Sequence, residues 1–111
     1  PEHLIADGEP LILGLNLFDL LTSLKKVLEK IPEKAFYEVT REELNLKDKI
    51  SMILDTLQGK KSITFYELFA KDVTKAEVII TFLALLEIIR LKLVRIFQSE
   101  DFGVIRISSV D

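Results

Sequence analysis

The sequence predicts a mostly α fold with a small β-hairpin: a winged-helix (helix-turn-helix plus wing) domain preceded by an amphipathic helix. Three observations predict it. Residues 75–91 form a long, strongly apolar helical pattern, and that pattern runs straight into two short alternating segments separated by a polar turn. Ahead of it come two shorter helical patterns with an extended piece between them. The 111 residues suit one domain with an attached arm, since domains commonly hold about 100–150 residues.

Residues 1–14 read as an irregular arm punctuated by Gly8, Pro10 and Gly14, although Leu11, Ile12 and Leu13 are apolar. A helix follows, with Asn16 as N-cap and Asp19 in the first turn. Its apolar residues Leu17, Leu21, Leu24, Leu28 and Ile31 step by four and three, the spacing of a coiled-coil seam, with Leu20 and Val27 widening it. Pro32 ends it. That seam must lie on the rest of the chain or on a partner, a second copy of the chain included. Residues 36–40, FYEVT, read as a short strand. Residues 46–58 form a helix capped by Asn45, with Ile50, Ile53, Leu54 and Leu57 on one face and Gly59 as its stop. SITF at 62–65 is extended and YELFA at 66–70 is a short helix. Thr74 caps the long helix, and Glu77 completes a capping box. Residues 93–98 and 102–108 are the strands of the hairpin. From residue 46 onward this is the winged-helix order, so the expected division is an arm and helix at 1–45 and a winged helix at 46–111.

Composition narrows the function. Hydrophobic content is 49% and the net charge is −3, which disfavours a general attraction to nucleic-acid phosphates. With no cysteine, disulfides and thiolate metal sites are excluded, and a reducing, cytoplasmic setting is expected. The longest unbroken apolar run, Phe82–Leu86, is far short of the ~20 residues of a membrane span. The acidic start gives no signal-peptide pattern, and a chain that begins with Pro1 is expected to be a piece of a longer protein. No catalytic, cofactor or metal residues are expected. His3 is the single histidine and lies on the arm, the four glycines are scattered, and Glu42–Glu43 and Glu100–Asp101 fall in loops.

The long helix discriminates between the two uses of such a fold. A DNA-reading third helix offers Arg, Lys, Asn or Gln to base edges. Between Ala76 and Leu91, twelve of sixteen residues are apolar. With Ile79, Phe82, Leu83 and Leu86 facing the core, the outward stripe is Glu77, Thr81, Ala84 and Ile88. Such a surface repels phosphate and favours a protein partner, with Leu85 and Ile88 the residues the core least needs. The competing arrangement has the leucine seam of the first helix roof this patch. The alternative function is a DNA-binding winged helix using Arg90, Lys92, Arg95 and Arg106.

VIITFLALLEIIRLKLVRIFQSEDFGVIRI, beginning at Val78, resembles the C-terminal winged-helix domain of bacterial segregation and condensation protein A (ScpA), a kleisin. The likeness rests on Thr81–Glu87, Gln98, Phe102, Gly103 and Ile105, and extends through residues 46–107. NLFDLLTSLKKVLEK resembles that family's central region more loosely. The resemblance implies a non-catalytic bridging subunit of the SMC condensin complex, acting in chromosome condensation and segregation. It implies a cytoplasmic, nucleoid-associated protein that meets DNA only indirectly. Its C-terminal winged helix would bind the SMC ATPase head, a separate N-terminal helical domain the neck of the other SMC subunit, and its central region a segregation and condensation protein B dimer. By family position the head interface would use Phe82, Leu85, Leu86 and Ile88 of the helix, with Gln98 and Phe102 of the hairpin.

Overall fold

The computed structural model describes residues 17–32, 45–98 and 103–110. The predicted cap Asn16, the strand at 36–40 and Phe102 lie outside the described residues. The elements are α1 (Leu17–Glu29), α2 (Leu46–Lys60), β1 (Ser62–Thr64), α3 (Phe65–Leu68), α4 (Lys75–Arg90), β2 (Val94–Gln98) and β3 (Ile105–Ser109). The hairpin is part of a three-stranded antiparallel sheet in the order β1-β3-β2. Helices α2, α3 and α4 with this sheet make a winged-helix-like unit, as the element order predicts.

Each of these three helices starts where the sequence supplies an acceptor. Asn45 Oδ1 accepts from the N–H groups of Lys47 (2.8 Å) and Asp48 (3.3 Å), which would otherwise lack partners. The Thr74 hydroxyl accepts from the Glu77 N–H at 3.1 Å, while Glu77 Oε1 accepts from the N–H groups of Thr74 (3.0 Å) and Val73 (2.7 Å). Thr64 and Glu67 form a second reciprocal box. That box opens α3 at Phe65 rather than Tyr66 and shortens β1 to three residues.

The ends differ from expectation in one place. Gly59 lies inside α2, and Lys61 is the residue that turns the chain, at φ 71° with its N–H bonded to Leu57 O at 2.7 Å. Lys92, at φ 63°, does the same after α4: its N–H reaches Ile89 O and the next N–H, of Leu93, reaches Ile88 O, both at 2.9 Å. This is the Schellman pattern. A left-handed conformation costs an L-residue about 1–2 kcal/mol, and neither position holds glycine.

The core is one apolar cluster. Ile63, Ile107 and Ile96 form a single row across the sheet, facing Ile53 and Leu57 of α2 and the inner face of α4. Phe65 stands edge-on to Phe69 (5.0 Å between centroids) and Phe82 (6.4 Å). Leu20 and Val27 of α1 are buried in the same cluster, with Leu24, Leu28 and Ile31 packed half-buried against it. The buried stripe of α1 therefore runs through Leu20 and Val27, whereas Leu17 and Leu21 at the head of the predicted seam are exposed. The seam's later residues, Leu24, Leu28 and Ile31, serve the chain's own core, and Leu17 and Leu21 do not.

Candidate docking surface

The structure turns α4 by roughly a third of a turn from the predicted orientation. Val78, Thr81, Phe82, Ala84, Leu85, Ile88 and Ile89 are buried. Ile79 and Leu83, expected in the core, are 43% and 45% exposed, and Leu86 is half-buried. Thr81, Ala84 and Ile88, expected outside, are inside. Leu85 and Ile88 are 0% exposed, so the core needs both, against the sequence expectation.

The physical reason is Thr81. Its hydroxyl donates to Asp72 Oδ2 at 2.6 Å, and Lys49 Nζ of α2 donates to Asp72 Oδ1 at 2.9 Å. The Asp72 side chain is 3% exposed and that of Lys49 13%. A buried hydroxyl is tolerated once it is hydrogen-bonded. The clamp fixes the rotational phase of α4 and joins it to α2 through the residues before its cap. Burial pushes the Asp72 carboxyl above its ordinary 3.8, and the Thr81 and Lys49 hydrogen bonds pull it back only partly. No buried side-chain nitrogen or oxygen among the described residues lacks a partner.

With that phase, the solvent stripe of α4 is Ala76, Ile79, Leu83 and the half-buried Leu86, ending at Glu87 and Arg90. Arg90 is engaged within the helix: its Nη2 lies 2.6 Å from Glu87 Oε2 and its Nε 3.1 Å from Glu87 Oε1. This bidentate pair holds the Glu87 carboxyl below its ordinary 4.5 and raises Arg90. The stripe is thus apolar in its middle and self-neutralised at its end.

The other predicted interface residues are scattered. Phe82 is buried against Phe65. Gln98 is half-buried and donates from Nε2 to Gly103 O at 2.8 Å, tying the base of the wing together. It also lines a cleft of about 460 Å³ with Thr22 and Lys26 of α1, Tyr66 and Val104. Among the described residues of the predicted set, only Leu86 lies on the exposed stripe. Sequence reasoning missed Ile79 and Leu83. Their spacing, with Ala76 and Leu86, is the one signal that finds them once Thr81 is placed inside.

No group of histidine, cysteine, aspartate or glutamate among the described residues is arranged to hold a metal ion. No described helix is long and apolar enough to cross a membrane.

These features define the class: a winged-helix-like protein whose third helix turns an apolar, internally neutral stripe to solvent. Comparison with known proteins gives the family. The family described as Segregation and condensation protein ScpA matches residues 6–110, and the chain belongs to that family. It is 30% identical over 99 residues to a Segregation and condensation protein A of Brevibacillus brevis, covering 88% of this chain and 39% of that protein. It is 35% identical over 90 residues to that of Myxococcus xanthus (79% and 31%), and 30% over 115 residues to that of Clostridium acetobutylicum (95% and 45%). The chain thus spans between 31% and 45% of the length of these relatives. No solved structure matches it significantly.

Proposed function

We propose that the chain is the C-terminal part of a kleisin of a bacterial SMC complex. In this reading residues 46–111 are the winged-helix unit that docks on the SMC ATPase head, and residues 1–45 belong to the central region that meets a segregation and condensation protein B dimer. The protein bridges and does not catalyse, and it works in the cytoplasm at the nucleoid in chromosome condensation and segregation.

The observation that carries the head-docking reading is the exposure of Ile79 and Leu83 on a helix without an unpaired terminal arginine. Burying the exposed half of each side chain is worth about 1 kcal/mol, so the pair supplies about 2 kcal/mol, more than a tenfold gain in affinity. The sequence-predicted contacts change accordingly. Leu86 stays, Ile79 and Leu83 join it, and Phe82, Leu85 and Ile88 act from the core by holding the stripe in shape. The exposed Leu17, Phe18 and Leu21 of α1 support a second partner on the N-terminal side.

The test is capture of a purified SMC head domain by the 111-residue chain. Leu83→Arg is expected to stay folded by circular dichroism and lose the head. Full retention of the head by a folded Leu83→Arg protein refutes the assignment.

A further inference from the structure

Helix α4 lacks the cations of a DNA reader, but the sheet carries two of the chain's arginines. The sheet register places them. One row across the sheet is Ser62, Ser108 and Arg95; two rows further on is Thr64, Arg106 and Phe97. Between them lies the buried isoleucine row, which points the other way. Arg95 and Arg106 are therefore diagonal neighbours on the outer face, both exposed, with Ser62, Thr64 and Ser108 beside them.

Two further cations gather at one end. Strands β1 and β2 both run antiparallel to β3, so they start at the same end of the sheet. Lys61 immediately precedes β1, and its carbonyl accepts from the Ser109 N–H at 2.9 Å. Lys92 stands two residues ahead of Val94, which is the register partner of the same Ser109. Both lysines hold the left-handed conformation that glycine takes without strain, at φ 71° and 63°. A cation at a helix C-terminus is favoured, which offsets part of that strain. Two strained positions at the same sheet end are thus both filled by a positive charge. Among the described carboxylates the ionised Glu67 lies near Arg106, 4.0 Å from Lys60 Nζ and accepting from the Thr64 N–H at 2.7 Å, and offsets part of the positive charge there; Arg95 has no ion pair with a described carboxylate.

We infer that the outer face of the sheet, through Arg95 and Arg106, with Lys61 and Lys92 at one end of the sheet, binds the phosphate backbone of duplex DNA without reading its sequence. Guanidinium, ammonium and small hydroxyl groups are the donors that phosphates take. A protein partner would need a buried apolar anchor at the centre of its contact, and among the described residues only the half-buried Phe97 stands between the two arginines, the exposed Leu93, Val104 and Val110 lying at the strand ends. The same Phe97, packed against the core, is not an open platform for the stacked bases of a single strand. The face shares no residue with the α4 stripe, so it does not depend on the head-docking reading.

The test is fluorescence anisotropy of a labelled random-sequence duplex titrated with the 111-residue chain at several salt concentrations. Two to four phosphate contacts predict a slope of log affinity on log salt between about −2 and −4, or a loss of roughly fifteen-fold to two-hundred-and-fifty-fold between 50 and 200 mM. Arg95→Ala/Arg106→Ala is expected to flatten the slope by about 2 and weaken binding at least about tenfold at low salt. Arg95→Gln/Arg106→Gln, which keeps the side-chain stems, replaces it if the alanine pair does not fold. Leu83→Ala is expected to bind DNA like the parent, which separates this inference from head docking. The inference is overturned by no duplex binding at low salt, by folded double variants with unchanged affinity and slope, or by arginine-dependent capture of polyglutamate but not of duplex.

Discussion

The rotation of α4 is the hinge of the functional reading, and Leu85 and Leu83 test it as a pair. Leu85 is 0% exposed in the one apolar cluster of the fold, and Leu83 is 45% exposed on the opposite side of the same helix. Truncating a fully buried leucine removes its transfer free energy and leaves a cavity, together about 3–4 kcal/mol. Truncating Leu83 removes contacts of a side chain already half in water and should cost under about 1 kcal/mol. Both substitutions put alanine into a helix interior, where it is the best former, so propensity cannot create the difference. The assay is urea unfolding followed by far-ultraviolet circular dichroism. With an m-value near about 1.5 kcal/mol/M, Leu85→Ala should lower the midpoint by about 2 M and Leu83→Ala by less than about 0.7 M. Leu85→Arg should fail to fold, whereas Leu83→Arg should fold. Equal losses for the two alanine variants, or a harmless Leu85→Ala, would show that the helix is not turned as described.

Three further outcomes follow from backbone and charge. Gly59 sits within α2, and a Cβ at this position would meet nothing within 4 Å, so Gly59→Ala should raise stability by about 0.5–1 kcal/mol in the same urea assay. Lys92→Gly should do likewise by about 1 kcal/mol, because it removes the left-handed strain; a loss of stability would contradict the φ of 63°. Asp72→Asn should change how stability depends on pH. The native carboxyl binds its proton more readily than an ordinary aspartate, so the native state holds more proton just above 3.8. Stability of the parent relative to Asp72→Asn must then fall as pH rises from 3.8 through the raised value, and level off above it. Glu67 and Glu87 titrate the opposite way but are common to both proteins. A relative stability that climbs with pH over that window would refute the burial of Asp72.

Much of the fold was legible because local chemistry and long-range packing agree in it. Asn45, and Thr74 with Glu77, begin helices by satisfying the backbone groups next to them, and such signals need no knowledge of the rest of the chain. The hairpin strands alternate because one face is buried, as Ile96 and Ile107 are, and one is not, as Arg95 and Arg106 are. The rotation of α4 was not legible. A helix apolar nearly all round has no strong phase of its own, and Thr81 and Glu77 are among its few polar markers. Thr81 is buried by virtue of Asp72, nine residues earlier, and Lys49, on another helix. Neither partner is visible from helical periodicity. Gly59 misled for a related reason: glycine is the usual stop, and here a lysine takes the left-handed turn two residues later.

Part of the apolar excess of α4 survives this correction, on other residues than the sequence suggested. The patch first expected to dock, around Leu85 and Ile88, is closed, with α1 packed on α4 through Leu20 and Val27 in the same cluster, so the argument for docking there ends. Ile79 and Leu83 on the other side of α4 stay open. The core itself is closed around Leu85 and Ile88, so Ile79 and Leu83 have no way inward without breaking the Thr81–Asp72–Lys49 clamp. A third helix that read bases would present donors along this line. This one presents two branched aliphatic side chains and an arginine already held by its own glutamate. Their burial requires another surface, and an apolar one, because nothing on the stripe would satisfy a buried charge.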